Sequence, residues 1–189
     1  MVRITKIYTR TGDDGTTAIA DGSRVSKLDA RIVAGGSVDE TNSAVGVSVT
    51  HLPEGDLKQT LLMIQQQLFD LGADLSQPVT PDDAKLRVTP VCVTWLERQI
   101  DAINEPLADL TSFVLPGGAP AAAGLHLARS ICRRAERDVL QLAEESAINA
   151  CTITYLNRLS DLLFVAARQC NGNGAGDVLW EPGRAMPGE

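Results

Sequence analysis

Aromatic side chains are scarce in this sequence: Phe, Tyr and Trp together make up 4% of 189 residues. A core without them is built from Leu, Ile, Val and Ala, which favours packed helices over a β-sandwich. Basic residues are also in the minority, with 17 Lys and Arg against 24 Asp and Glu and a formal net charge of −7. General nucleic-acid binding needs a basic footprint, so that class is excluded. No apolar run approaches a membrane span, and MVRITKIYTRTG at the N-terminus lacks the apolar core of a signal peptide. A cytoplasmic protein without membrane attachment is expected. The four cysteines, Cys92, Cys132, Cys151 and Cys170, form no C-x-x-C pair and match no zinc module. In a reducing compartment they read as small buried hydrophobes. His51 and His126 are the only histidines, too few for an all-protein transition-metal site.

What is abundant is helical periodicity. Ser37 can cap a helix and Glu40 can complete a capping box, predicting a first helix from there to about His51. Leu57, Leu61, Ile64, Leu68, Leu71 and Leu75 step by four and three across a second helix over 56–76. Residues 77–88 read as a polar loop, and Thr89-Pro90 opens a third helix running to about Asn104. The segment 105–119, punctuated by Pro106 and Pro116-Gly117-Gly118, is a long loop of the kind that often carries function. A fourth helix covers 120–145 and a fifth 150–170; the Gly- and Pro-rich tail 171–189 reads as flexible. With no convincing strand partners, the expectation is a single all-α domain over 1–189: a five-helix up-and-down bundle with an extended N-terminal segment, 1–35.

Two stretches carry chemistry. The first is YTRTGDDGTT, residues 8–17. Its glycines, Gly12 and Gly15, and its Thr9, Thr11, Thr16 and Thr17 suit a loop whose backbone N–H groups hold a polyphosphate. The G-x-x-x-x-G-K-[ST] spacing of a P-loop is absent, and Asp13 and Asp14 would repel a bare phosphate. A magnesium-bound nucleotide accommodates both halves, because Mg²⁺ takes one or two carboxylates together with phosphate oxygens; an ordinary turn built on Asp-Asp-Gly is the other reading. The second stretch is on the fourth helix, where Arg129, Arg133 and Arg137 recur every four residues, sharing a face with His126 and Glu136, with Arg134 adjoining. Such a stripe repels itself and suits an oxyanion partner, unless neighbouring carboxylates pair with it. On the fifth helix Asn157 and Asp161 share a face beside Arg158, able to read ligand hydroxyls or to satisfy a buried polar cluster.

Seven segments occur together in order: KIYTRTGDDGTT (6–17), RVSK (24–27), GGSVDETNSAVG (35–46), FDLGADL (69–75), FVLPGG (113–118), ARSICRRAER (128–137) and YLNRLSDLLFVAAR (155–168). Over residues 3–171 the chain resembles the ATP:cob(I)alamin adenosyltransferases of the propanediol-utilisation (PduO) type. The resemblance implies a homotrimer of five-helix bundles with active sites between subunits. It implies transfer of the 5′-deoxyadenosyl group of ATP to the cobalt of reduced cobalamin, releasing triphosphate, with Mg²⁺ accompanying ATP. Thr9, Arg10, Thr11, Gly12, Asp13, Asp14, Gly15, Thr16 and Thr17 then resemble the loop around the triphosphate, with Lys27 adding a cation. Arg133, Arg134, Glu136, Arg137 and Asn157 resemble the rest of the ATP site, contributed by the neighbouring subunit; the protein ligands of Mg²⁺ stay unassigned. Arg129 resembles the arginine that pairs across the interface with Asp39, Asp161 the carboxylate near corrinoid and adenosine, and Phe113 the aromatic that covers the lower corrin face. Thr41 and Ala119 stand where the family commonly has Leu and Thr, at positions without an assigned role. A reductase and an adenosylcobalamin-dependent mutase are the expected protein partners. A phosphotransferase using the same loop and arginines, or a non-enzymatic corrinoid escort, are the competing functions.

Overall fold

The computed structural model describes residues 6–79 and 86–185. Five helices carry it: α1 (Ala30–Val49), α2 (Asp56–Leu75), α3 (Pro90–Asn104), α4 (Pro120–Glu145) and α5 (Ala150–Cys170). Leucine and isoleucine side chains at helical spacing on α2, α4 and α5 point inward and are buried, among them Leu61, Ile64, Leu71, Leu125, Leu142, Leu156 and Leu163. Each such side chain contributes on the order of 1.5–3 kcal/mol by leaving water. The helices pack in the order α2–α1–α4–α5–α3, so α4 lies at the centre between α1 and α5. Among the described residues no helix is long and apolar enough to cross a membrane.

Two expectations are corrected. The first helix does not begin at Ser37: it begins two turns earlier, where the Asp29 side chain accepts the Arg31 N–H at 2.9 Å as N-cap. Gly35 and Gly36 lie inside α1, although glycine costs about 1 kcal/mol there relative to alanine. Packing against α4 overrides that local preference. Ser37, freed from capping, is buried and donates its hydroxyl to Asp138, while Arg134 donates to Ser37 Oγ at 2.9 Å and also pairs with Glu40. The N-terminal segment also holds strands: β1 (Thr16–Ala18) and β2 (Arg24–Ser26) form an antiparallel hairpin with Thr17 opposite Val25. Ala20 N–H donates to Ser76 O at 3.4 Å, holding the hairpin by the C-terminal end of α2.

The tail after α5 is not loose over its first ten residues. Leu115 N–H donates to Val178 O at 2.8 Å and Trp180 N–H to Phe113 O at 2.7 Å, an antiparallel bridge between the tail and the 105–119 loop.

Candidate active site

The hairpin explains how the glycine-rich stretch is shaped. Gly15 N–H closes a turn on Gly12 O at 3.2 Å, and Gly15 adopts φ 84°, a backbone region glycine enters without a Cβ penalty. Lys27, one residue past β2, donates its N–H to Gly15 O at 2.9 Å, and its ammonium lies over Gly12, where a Cβ would meet Lys27 Nζ at 3.2 Å. The sequence-predicted cation and loop are therefore brought together. Asp14 accepts the Thr16 N–H at 2.9 Å and the Thr16 hydroxyl at 2.8 Å. Those two bonds, with Arg24 3.6 Å away, hold its carboxyl below the ordinary carboxylate range. Arg24 also donates to Thr11 O at 2.5 Å and to Thr16 Oγ1. Its guanidinium thus ties the two ends of the loop together. Within RVSK, Arg24 carries no role readable from the sequence beyond its spacing eight residues past Thr16; the β1–β2 pairing turns it back onto the loop. Thr9, Arg10, Asp13 and Thr17 complete the stretch: Thr9 and Thr11 share a hydroxyl bond at 2.9 Å, Arg10 stacks 5.5 Å over the Tyr8 ring, and Asp13 keeps an exposed carboxylate.

The arginine stripe lies on α4. Among the described residues Arg133 is exposed with no carboxylate partner, and Arg137 donates to Arg133 O at 2.9 Å. Arg129 is half-buried and its Nε has no partner; burial and then the like charge of Arg133 press its pKa downward. Arg134 differs from its neighbours, being engaged by Ser37, Glu40 and Asp138 within the chain. Glu136 accepts from Asn157 Nδ2 at 2.9 Å, joining α4 to α5, and Arg158 donates to Asn157 Oδ1 at 2.8 Å while approaching Asp161 to 3.7 Å. Asp39 is exposed on α1 with no ion-pair partner among the described residues; Phe113 is exposed in the 105–119 loop.

Loop 8–17 with Lys27 and the arginine–amide group on α4 and α5 are thus two separate clusters. Among the described residues no hydrogen bond or ion pair joins loop 8–17 and Lys27 to Arg129, Arg133, Arg137 or Asn157. A cleft of about 510 Å³ at the end of the bundle, lined by His51, Pro53, Ala121 and Gln169, contains none of these residues. Neither Cys132 nor Cys170 is poised as a nucleophile: burial pushes the Cys132 thiol far up and Cys170 to about 11. Among the described residues no three His, Cys, Asp or Glu side chains form a metal cage.

Comparison with known proteins places these features in context. Residues 7–170 match the family model described as cobalamin adenosyltransferase. A corrinoid adenosyltransferase of Mycobacterium leprae is 48% identical over 191 residues, covering 96% of this chain and 98% of that protein. A cobalamin adenosyltransferase of Cupriavidus metallidurans is 50% identical over 182 residues, covering 95% and 96%. Among solved structures, a variant PduO-type ATP:corrinoid adenosyltransferase from Lactobacillus reuteri, complexed with cobalamin and ATP, superposes with TM-score 0.88 at 39% identity, covering 93% of this chain and 99% of that one.

Proposed function

The chain belongs to the cobalamin adenosyltransferase family, and we propose that it transfers the 5′-deoxyadenosyl group of ATP to Co(I) of cobalamin at sites shared between subunits of a homotrimer. The observation that carries the shared site is the separation of its halves. Loop 8–17 with Lys27 and Arg24 can cradle one side of a polyphosphate, and Arg133 and Arg137, beside Asn157, offer cations with no carboxylate partner among the described residues. A neighbouring copy joins them. Arg129, with a buried unpartnered Nε, and Asp39, exposed without a cation, are the complementary pair for that contact.

The residues present fit a Mg²⁺ ion that arrives on ATP rather than one held in a protein cage. Asp13 is free in the loop, Asp14 is kept ionised, and one or two carboxylates are what phosphate-bound Mg²⁺ takes from a protein. When bound it supplies charge neutralisation for the triphosphate.

Co(I) is itself a strong nucleophile, so no general base is needed. Its electron pair forms the bond to C5′, the C5′–O bond breaks, and the electrons leave on triphosphate. The protein's task is alignment and receipt of that charge. Lys27 and Arg24 flank the loop backbone on one side; Arg133 and Arg137 meet the phosphates on the other. Asn157, held by Glu136, orients the nucleoside, and Asp161 lies one turn further along α5. Phe113 covers the lower corrin face, excluding water and the axial base, which makes four-coordinate Co(II) easier to reduce to Co(I). A one-electron reductase and an adenosylcobalamin-dependent mutase are the matching partners in the cytoplasm.

The test mixes the protein with MgATP and chemically reduced cobalamin. Appearance of the adenosylcobalamin spectrum with stoichiometric triphosphate supports the reading. ADP or orthophosphate as first product, without spectral change, sinks it in favour of phosphotransfer.

A further inference from the structure

Phe113 stands in a loop with no helix to hold it, and its side chain is 77% exposed. A ring so placed samples several rotamers, and ordering it against a ligand costs conformational entropy. In this chain it is not left to itself. Trp180 packs against it with ring centroids 6.1 Å apart at 53°, and the two backbones are bonded through Trp180 N–H to Phe113 O at 2.7 Å. Ser112 adds a second tie, its hydroxyl donating to Trp180 O at 2.6 Å.

The strap that delivers Trp180 is itself anchored. Asp177 accepts from Arg168 Nε at 2.8 Å, with both side chains almost wholly buried, and from Asn171 Nδ2 at 2.9 Å. The same Asn171 amide donates to Gly117 O at 3.2 Å and accepts the Ala119 N–H at 3.0 Å, while Arg168 reaches Ala108 O at 2.8 Å. Tail, α5 and the 105–119 loop therefore meet in one buried polar knot. The glycine pair of FVLPGG is shaped by it: Gly118 has φ 102°, and a Cβ there would lie 2.1 Å from Asn171 Oδ1. Buried charged networks of this kind hold one geometry when every member is satisfied, and here Asp177 has two partners and the Asn171 amide three.

We propose that Trp180 is a positioning residue for Phe113: the Arg168–Asp177–Asn171 knot sets the register of the tail strap, and the strap presets the Phe113 ring for the corrin face. The proposal rests on the reading of Phe113 given above. A preset ring is most needed where Phe113 acts, in displacing the axial base before reduction, and less where Co(I) is already supplied. Losing the strap therefore separates the two routes.

The experiment compares Trp180→Ala, Trp180→Pro and Trp180→Phe with the wild type and with Phe113→Ala. Trp180→Ala removes the ring; Trp180→Pro also removes the N–H that bonds Phe113 O. Each is assayed from Co(II) cobalamin with a one-electron reductant and, separately, from pre-reduced Co(I). Electron paramagnetic resonance of the Co(II) complex with ATP reports the fraction lacking an axial ligand. Helical circular dichroism and oligomeric mass control for folding, since Trp180 lies outside every helix. Trp180→Ala is expected to lower the Co(II)-fed rate relative to the Co(I)-fed rate by about tenfold, as misplacement of a positioned group does. It should lower the four-coordinate fraction in parallel; Trp180→Pro should lower both further, and Trp180→Phe restore most of each. Equal ratios for wild type, Trp180→Ala and Trp180→Pro, with Phe113→Ala impaired, overturn the strap's role alone. A Phe113→Ala variant with an unchanged ratio overturns the reading of Phe113 and the strap proposal with it.

Discussion

Asn157 donates to the Glu136 carboxylate at 2.9 Å, and this bond fixes an amide on α5 relative to the arginine stripe on α4. Both residues are half-buried, so the bond is partly shielded from water. Glu136→Ala frees the amide to turn. With about 1–2 kcal/mol assigned to a hydrogen bond of this kind, KM for ATP is expected to rise roughly fivefold to thirtyfold. Glu136→Gln, which can still accept the bond, should recover most of that loss. Steady-state kinetics at varied ATP with saturating Co(I) cobalamin check it.

Arg24 spans the loop from Thr11 O to Thr16 Oγ1. Because it is substantially exposed, Arg24→Ala should change thermal stability by less than about 1 kcal/mol. The loop, no longer tied at both ends, should bind the triphosphate less well. The expected result is a severalfold weaker affinity for MgATP by calorimetry with an unchanged melting curve. Equal affinity would remove Arg24 from the site.

The proposed shared sites make a distinctive demand on mixtures. Lys27→Ala damages one half-site and Arg133→Ala the other. Co-expressed chains in mixed trimers should regain activity that neither variant shows alone, because some interfaces combine two intact halves. No recovery in purified mixed oligomers would argue that each chain completes its own site.

Asp74 is 1% exposed and accepts from Arg87 Nη1 at 2.6 Å, Val88 N–H at 2.8 Å and Asn149 Nδ2 at 2.7 Å. It joins the end of α2 to the entry of α3 and the start of α5. Removing one partner from a buried charged network leaves the others unsatisfied, so Asp74→Ala should destabilise the fold by about 3–5 kcal/mol. Chemical denaturation measures this. The Co(I)-fed rate at low temperature should survive, since Asp74 touches neither half-site.

His126 is 1% exposed, with neither ring nitrogen hydrogen-bonded and its edge toward Phe164. Burial, and then Arg129, lower its pKa from 6.5, against a smaller opposing pull from Asp177. The unfolded chain therefore binds a proton at a pH where the folded one does not. The neutral imidazole's stability is fully present above about pH 6.5 and is lost as pH falls toward the lowered folded value. Denaturation from pH 7.5 to 5 should show a steeper loss for wild type than for His126→Asn.

Much of the bundle was legible because leucine spacing reports directly which face of a helix is buried. The bounds of α4 and α5 match their periodicity, and α3 opens at Pro90 as its proline requires. The start of α1 was not legible: Gly35-Gly36-Ser37 carries a strong local start signal, and only α4, packed along the preceding turns, overrules it. The hairpin was missed because three-residue strands carry no measurable period.

By itself the sequence determined the helical class and the family, since these depend on local spacing and on motifs read in order. Tertiary structure alone decided which arginines are available. Arg134 is adjacent to Arg133 in the chain, yet the 100° step between them turns it toward Ser37, Glu40 and Asp138 of the α1–α4 seam, while Arg133 is left without a carboxylate. It also decided that the glycine-rich tail bends back onto Phe113, because the Arg168–Asp177 pair forms between residues nine apart only where the chain leaves α5 through a left-handed turn at Gly172, Asn173 and Gly174. Ion pairs of that kind depend on which groups folding brings within reach, and no periodicity announces them.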